Sequence, residues 1–288
     1  MENGEPKLYS KKEIRNIKEK YGFELSKSLG QNFLTDKNII DKIVDGTGIG
    51  DNDLVIEIGP GIGVLTRELA KVAKKVLAIE IDKKLIPILE ETLSDIENIE
   101  IINKDVLKVD INEIIRENSG FDRVRVVGNL PYYITTPIIM KLLEEQANIR
   151  SITVMMQKEV AERIKSPPGS KVYGAISVAV QYYCEVDYLF TVPKDVFYPQ
   201  PKVDSAVIKL NLRDEKPLSN INEEKFWECI KKAFSQRRKT LANALVGFNG
   251  MDKSEIKELL ESAAIDEMRR AETLSIIEFG QIIKEIEK

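Results

Sequence analysis

From residue 54 onward, short apolar runs alternate with stretches in which apolar residues recur at helical spacing. The apolar runs predict strands at 54–58, 75–79, 99–102, 123–127 and 151–155. The helical spacing predicts helices at 36–45, 64–72, 83–93 and 137–145. Apolar strands that alternate with amphipathic helices are typical of a parallel sheet covered on both faces. The pattern therefore predicts an α/β fold.

The pattern changes after Pro167-Pro168-Gly169. Two stretches rich in β-branched and aromatic residues, 186–192 and 203–212, flank the proline-containing segment 197–201. We expect them to form an antiparallel edge on the sheet. Residues 213–222 are typical of a linker, and only helical periodicity follows. The predicted organisation is an N-terminal extension at 1–27, an α/β domain at 28–213 and a small all-α domain at 214–288.

The amino-acid composition limits the kinds of catalytic and metal sites that the chain can form. The 288 residues include no histidine, which excludes Ser-His-Asp and Cys-His catalysis and any metal site with histidine ligands. The two cysteines lack metal-ligand spacing and are expected to be reduced thiols. No apolar run reaches the roughly 20 residues that span a bilayer, and the charged N-terminus lacks a signal-peptide pattern. We therefore expect a cytoplasmic protein with no metal and no membrane partner.

A glycine-rich turn, Glu-Ile-Gly-Pro-Gly-Ile-Gly at 57–63, follows the strand at 54–58. Gly59 and Gly61 permit a ligand to approach the backbone closely, and the helix that follows adds partial positive charge. Val64 stands where the dinucleotide fingerprint requires glycine or alanine. The turn therefore indicates a nucleoside cofactor without a pyrophosphate.

Two acidic residues follow the next strands. Glu80 ends the strand at 75–79 and is placed to accept hydrogen bonds from both hydroxyls of a ribose. Asp105 follows the strand at 99–102 and is placed to accept from an adenine amine, although an aspartate there also suits the capping of a turn.

The segment Gly-Asn-Leu-Pro-Tyr at 128–132 directly follows the fourth strand. An aromatic amine is a poor nucleophile because its lone pair is delocalised into the ring. The side-chain oxygen of Asn129 and the carbonyl of Leu130 are two acceptors that would draw such an amine toward tetrahedral geometry. Pro131 restricts the residue before it, and Tyr132 offers a stacking face for an extruded base. Phe197 is a candidate for the second face, or alternatively a core aromatic.

One basic cluster stands out in a chain whose formal net charge is −4. No acidic residue lies between Cys229 and Ala242, and the interval contains Lys231, Lys232, Arg237, Arg238 and Lys239. Such a cluster is either a solvated helix face or a site for RNA phosphates. A second basic patch in the N-terminal extension is diluted by acidic neighbours; it comprises Lys7, Lys11, Lys12, Arg15, Lys18, Lys20 and Lys27.

In this order, these elements resemble the small-subunit rRNA adenine N6,N6-dimethyltransferases, the KsgA/RsmA family. The motifs that carry the resemblance are 30–34 (Gly-Gln-Asn-Phe-Leu, preceded by Ser28 and Leu29), 57–63, 129–132, 197–205 and 234–241. The resemblance implies a Rossmann-like methyltransferase domain with a helical RNA-binding domain after it. The extension to Lys27 is longer than the family pattern requires, and the net acidity is unusual for an rRNA-binding protein.

The resemblance also implies roles for single residues. Contacts to S-adenosylmethionine, whose product is S-adenosylhomocysteine, are implied for Asn32, Leu34, Gly59, Glu80, Asp105 and Asn129. The target adenine would be held by Asn129, Leu130, Tyr132 and Phe197. The implied reaction gives two methyl groups to each of two adjacent adenines near the 3′ end of 16S rRNA in the assembling small subunit. The protein is expected to act as a monomer.

Other functions are compatible with parts of the pattern. The 23S rRNA adenine methyltransferases of macrolide resistance share the glycine turn and an Asn-x-Pro-Tyr motif, but the segment 234–241 favours the small-subunit enzymes. A ribosome-assembly or transcription factor that acts by binding is a second alternative. DNA and protein-glutamine methyltransferases often carry Asn-Pro-Pro-Tyr, whereas position 130 is leucine here. An NAD-dependent oxidoreductase is disfavoured by Val64 and by the absence of histidine.

Overall fold

The computed structural model describes residues 7–24, 30–145 and 147–288. The chain forms two compact units. The first unit comprises Met1–Ala161 and Asp187–Leu212, and the second unit comprises Glu162–Val186 and Arg213–Lys288. The predicted domain boundaries at 27 and 213 stay a prediction. By packing, the segment 162–186 groups with the C-terminal helices rather than with the sheet.

A seven-stranded sheet forms the centre of the first unit, with the order β4-β3-β2-β5-β6-β9-β7. Its strands are β2 (Leu54–Ile58), β3 (Lys75–Ile79), β4 (Ile99–Ile102), β5 (Val124–Asn129), β6 (Ser151–Gln157), β7 (Cys184–Val192) and β9 (Ser205–Leu212). The first five pair in parallel, and β9 pairs antiparallel with β6. The predicted parallel sheet with an antiparallel edge is confirmed.

The sheet is buried on both faces. Every residue of β2 is buried, although side chains point alternately to the two faces, and six of the seven residues of β6 are buried. The helices of the first unit that precede or separate these strands are α2 (Lys37–Thr47), α3 (Val64–Ala70), α4 (Ile86–Thr92), α5 (Ile111–Glu117) and α6 (Thr135–Glu144). This double coverage explains why the central strands appear in the sequence as mainly apolar runs.

An N-terminal helix, α1 (Lys11–Tyr21), packs onto the first unit. The Ser10 side chain caps its start by accepting from the Glu13 backbone N–H at 3.0 Å, and Gly22 ends it in the left-handed conformation. Ile14 and Ile17, spaced to share one face of the helix, lie in the same apolar core as α2, α3 and α4. Part of the predicted extension is therefore an element of the core of the first unit.

A separate two-stranded sheet pairs β1 (Phe33–Leu34) with β8 (Phe197–Tyr198). The strands are antiparallel, with Phe33 opposite Tyr198 and Leu34 opposite Phe197. This pairing joins two of the family motifs that lie far apart in the sequence.

The second unit is helical, as predicted for 223–288. Its apolar core includes Phe226, Phe248 and Phe279 from the C-terminal helices together with Tyr173 and Tyr182. The helices that lie wholly in this unit are α8 (Ala175–Tyr183), α9 (Glu223–Ser235), α10 (Leu241–Ala244), α11 (Lys253–Ser262) and α12 (Ile276–Ile286).

The structure adds elements that the apolar pattern did not predict. They include the short strands β1 and β8 and the helices α5, α7 (Lys158–Lys165) and α8. The helix α7 escaped prediction because most of its residues are charged, and α8 because its apolar residues form a nearly continuous run. None of the helices within the described ranges is long and apolar enough to cross a membrane.

Candidate active site

One cavity opens where the central parallel strands end. Gly59 follows β2, Glu80 follows β3 and Asn129 ends β5, and all three residues line this cavity. Because β2 lies between β3 and β5, their carboxyl ends form one edge of the sheet. Open α/β sheets bind ligands at this edge. The predicted cofactor and target motifs thus meet at one site.

The glycine turn forms the floor of this cavity. Gly59 and Gly61 both have a positive φ, at 71° and 63°. A Cβ atom at Gly61 would lie 2.8 Å from the ring of Phe33, so a larger residue would displace that ring. The turn therefore requires glycine for both its backbone conformation and its packing.

Glu80 is nearly fully buried, with 5% of its surface exposed, and its carboxylate is already oriented by the backbone. One oxygen accepts the Asp82 N–H at 2.8 Å, and the Gly61 N–H also donates to the carboxylate. Burial nevertheless raises the pKa of Glu80 to about 7, because these bonds do not replace the lost hydration. The group can accept further hydrogen bonds from a ligand, and such donors would favour its ionised form.

Glu57 is a feature of the cavity that the sequence analysis did not single out. It lies in β2, lines the cavity and is 1% exposed. Its Oε2 has no hydrogen-bond partner among the described residues. Burial, with a smaller contribution from the charge of Glu80, raises the pKa of Glu57 to about 8. The signal in the sequence was a lone acidic residue inside an otherwise apolar strand.

Asn129 is oriented by a single hydrogen bond. Its Nδ2 donates to the Asn32 carbonyl oxygen at 2.9 Å. Since only the NH₂ group can donate to a carbonyl, the side-chain oxygen of Asn129 is left to accept from a ligand. Asn32 itself donates from its side chain to the Gly30 carbonyl at 3.0 Å, and both residues line the cavity.

Three more predicted residues line the cavity: Leu34, Asp105 and Pro131. Asp105 also caps a one-turn helix at Val106–Lys108, where its Oδ1 accepts from the Leu107 N–H at 3.0 Å. The capping interpretation of Asp105 is therefore confirmed, and its other carboxylate oxygen lies 3.8 Å from the Lys108 Nζ.

The remaining predicted target-site residues do not line the cavity: Leu130, Tyr132 and Phe197. Leu130 is buried, and the Tyr132 hydroxyl hydrogen-bonds the buried Ser205 hydroxyl at 2.7 Å. Phe197 is only 2% exposed and belongs to the apolar core of the first unit. In contrast, the neighbouring Tyr133 lines the cavity with 60% of its surface exposed.

The predicted basic cluster lies on the second unit, at the end of α9 and in the turn that follows. Four of its members are exposed and Lys232 is half-buried: the exposed ones are Lys231, Arg237, Arg238 and Lys239. Arg237 donates to the Lys171 carbonyl at 2.8 Å, which fixes part of its side chain while its charge stays at the surface. Within the described residues no group of three or more acidic or cysteine side chains has the arrangement of a metal site.

Comparison with known proteins relates this geometry to a family. A family model described as ribosomal RNA adenine dimethylase matches residues 22–286. The chain is 54% identical over 274 residues to ribosomal RNA small subunit methyltransferase A of Clostridioides difficile (strain 630), with 95% of each chain covered. It is 51% identical over 283 residues to the protein of that name in Alkaliphilus oremlandii (strain OhILAs), covering 98% of this chain and 99% of the relative.

Two solved structures are also similar. A dimethyladenosine transferase from Plasmodium falciparum has a TM-score of 0.75 and 28% identity, covering 88% of this chain and 97% of its own. The 23S rRNA methyltransferase ErmE has a TM-score of 0.69 and 26% identity, covering 89% of this chain and all of its own. The match of the family model over nearly the whole chain shows that this protein belongs to the ribosomal RNA adenine dimethylase family.

Proposed function

We propose that the protein transfers methyl groups from S-adenosylmethionine to N6 of two adjacent adenosines near the 3′ end of 16S rRNA. The product would be N6,N6-dimethyladenosine at both positions, formed on the assembling small subunit in the cytoplasm. One observation carries the proposal: the glycine turn, Glu80 and Asn129 line the same cavity. The curated relatives above 50% identity that bear the name of the small-subunit enzyme support the choice of RNA.

The cavity fits S-adenosylmethionine in charge and in hydrogen bonding. Glu80 would accept from the two ribose hydroxyls, and Asp105 would accept from the adenine amine. The unpartnered Oε2 of Glu57 would accept from the ammonium group of the methionine portion. Gly59, Gly61, Asn32 and Leu34 would provide the walls of the site. When bound, the cofactor supplies a methyl group on a positively charged sulfur, which is electrophilic without further activation.

Asn129 and Leu130 would prepare the adenine amine for attack. The Asn129 oxygen and the Leu130 carbonyl would each accept one N–H of the amine and draw its nitrogen toward tetrahedral geometry. Pro131 restricts the conformation of Leu130 and so helps to aim that carbonyl. No strong base is needed, because positioning and preorganised acceptors perform most of the catalysis. This agrees with a chain that has no histidine.

Tyr132 and Phe197 would hold the extruded adenine between their rings. Since Phe197 lies in the apolar core, this role requires the ring to leave its present position when RNA binds. The two-residue pairing of β1 with β8 is the contact that must open or shift, because Phe197 lies opposite Leu34 in it.

The basic cluster of the second unit would bind RNA phosphates. Its lysines and arginines are at the surface, and no acidic residue interrupts them in the sequence between Cys229 and Ala242. Electrostatic contacts of this kind weaken as the salt concentration rises, because releasing the counterions condensed on the RNA then gains less entropy.

A defined modification assay tests the proposed function. The protein would be incubated with labelled methyl donor and under-methylated small subunits, and the RNA would then be digested to nucleosides. We expect label in N6,N6-dimethyladenosine from a 3′-terminal fragment of 16S rRNA. Label in 23S rRNA instead, or tight subunit binding with no label at all, would contradict the proposal.

A further inference from the structure

The helix α1 presents a row of basic side chains on a rigid support. Lys11, Arg15 and Lys18 are spaced so that they lie along one side of the helix, and this row is called the α1 stripe. Lys11 and Arg15 are exposed and Lys18 is half-buried. In the part of the chain that the structure describes, none of the three forms an ion pair.

The opposite side of the helix is neutralised. Lys20 contacts Glu91 of α4, with an Nζ–Oε1 distance of 2.6 Å, and the Tyr21 hydroxyl donates to the same carboxylate. Glu13 lies on this side as well and accepts from Asn16 at 3.1 Å. Within α1 itself, Glu19 lies one turn after Arg15, beside the α1 stripe. The basic charge of α1 therefore concentrates on the side that faces away from α4.

The α1 stripe is held in a fixed place relative to the cavity. Ile14 and Ile17 are buried in an apolar core that also contains Phe33 and Leu85. Both Phe33 and Leu85 also line the cavity. The underside of α1 and part of the wall of the candidate active site thus belong to the same apolar core.

The chemistry of the stripe fits nucleic acid better than protein. From Lys11 to Lys18 the helix extends about 10 Å, which allows contact with successive phosphates of one strand. Of the exposed large apolar side chains among the described residues, none lies on α1, so the helix lacks the apolar anchor that a protein interface requires. The chain has a formal net charge of −4, whereas the α1 stripe consists of three basic residues without an ion-pair partner among the described residues.

We infer that α1 is a second RNA-binding element, whose stripe contacts backbone phosphates of the RNA that delivers its adenine to the cavity. This inference rests on the proposed function for the identity of the RNA. It assigns a role to the N-terminal region, which lies in the first unit, whereas the basic cluster of residues 231–239 lies in the second.

The salt dependence of RNA binding tests the inference. The variant Lys11→Gln, Arg15→Gln, Lys18→Gln removes three charges and keeps polar, unbranched side chains with good helix propensity. Binding to a transcript of the 3′ domain of 16S rRNA would be measured from low to moderate salt. We expect weaker binding at low salt and a slope of log affinity against log salt that is smaller by about two. The thermal transition and S-adenosylmethionine binding should match the parent.

Two controls make the result specific. The variant Lys11→Arg, Arg15→Lys, Lys18→Arg keeps the charges and should keep the parent's slope. The variant Lys42→Gln, Lys253→Gln, Lys284→Gln removes the same charge elsewhere at exposed positions and should also keep it. An unchanged slope in the first triple variant, or an equal loss in the remote one, would overturn the inference.

Failure of the inference is distinguishable from failure of the proposed function. If the parent protein methylates 16S rRNA but the α1 variant binds RNA with the parent's slope, only the role of α1 is rejected. If the parent does not methylate 16S rRNA, the proposed function is rejected whatever the binding data show.

Discussion

The side-chain amide of Asn129 donates to the backbone carbonyl of Asn32 across 2.9 Å. Residues 97 positions apart are thereby joined at the edge of one cavity. The bond leaves the Asn129 oxygen as an acceptor and ties the end of β5 to the segment before β1. A residue implied in cofactor binding thus orients a residue implied in catalysis.

Replacing Asn129 with alanine should reduce turnover strongly while leaving RNA binding nearly intact. The variant loses one acceptor for the amine and the bond to Asn32, and loss of one preorganised partner typically costs about 100- to 1000-fold in kcat. Single-turnover methylation of small subunits and a separate RNA-binding titration would measure the two effects. Turnover equal to that of the parent would reject the assigned role.

Two substitutions of Tyr132 distinguish the contribution of its ring from that of its hydroxyl. Tyr132→Phe removes only the bond to Ser205 and should retain most of the turnover, because the stacking face is kept. Tyr132→Ala should weaken productive binding of the adenine by about 1–3 kcal/mol, the usual value of a base–aromatic stack. The comparison uses KM for small subunits and kcat in the same assay. Equal losses in both variants would place the role in the hydroxyl instead.

Glu80 should make cofactor binding depend on pH. Its pKa is raised to about 7, so the carboxylate that accepts ribose hydroxyls forms as the pH rises through neutrality. We expect the Kd for S-adenosylmethionine to fall between pH 6 and pH 8. Glu80→Gln should weaken binding by about 1–3 kcal/mol at pH 8 and by less at pH 6. Calorimetric titration of S-adenosylmethionine at pH 6 and at pH 8 measures these effects. An equal loss of affinity in Glu80→Gln at both pH values would contradict the prediction.

Glu57 should make the stability of the ligand-free protein fall as the pH rises. Its pKa is near 4.5 when unfolded and about 8 when folded, so the folded state holds a proton that the unfolded chain releases in this range. The unfolding free energy of Glu57→Gln minus that of the parent should therefore increase by a few kcal/mol as the pH rises from 5 to 8.5. Urea denaturation at both values measures the gain. A difference that does not change with pH would show that Glu57 does not titrate as described.

The basic cluster of the second unit should contribute to RNA binding through charge. Arg238→Ala should lower the slope of log affinity against log salt by about one, and Arg237→Ala together with Arg238→Ala by about two. Arg237 also donates to the Lys171 carbonyl, so its variant needs a thermal melt as a control for stability. A salt response identical to that of the parent would move the RNA contact to another surface.

Much of the fold can be predicted from the sequence because the apolar patterns of strands and helices involve residues close together in the chain. The runs at 54–58, 75–79 and 99–102 coincide with β2, β3 and β4. In β2 and β3, which are buried almost throughout, burial on both faces accounts for the mainly apolar run. The predicted strand 123–127 is shorter than β5, which extends to Asn129, so the first residue of the segment 129–132 is still part of the sheet. A charged surface helix such as α7 leaves no apolar stripe strong enough to predict it.

By itself, the sequence determined the order of the motifs and the chemical types that they contain, because a glycine turn after a strand or an Asn-Leu-Pro-Tyr segment is defined by adjacent residues. Only the tertiary structure decided which of these residues share a cavity, and it placed Glu57 there with Asn129 but kept Phe197 in the core. It also decided that Ile14 and Ile17 anchor α1 to the first unit. Burial and non-local hydrogen bonds depend on residues far apart in the chain, and these distances exist only once the sheet has formed.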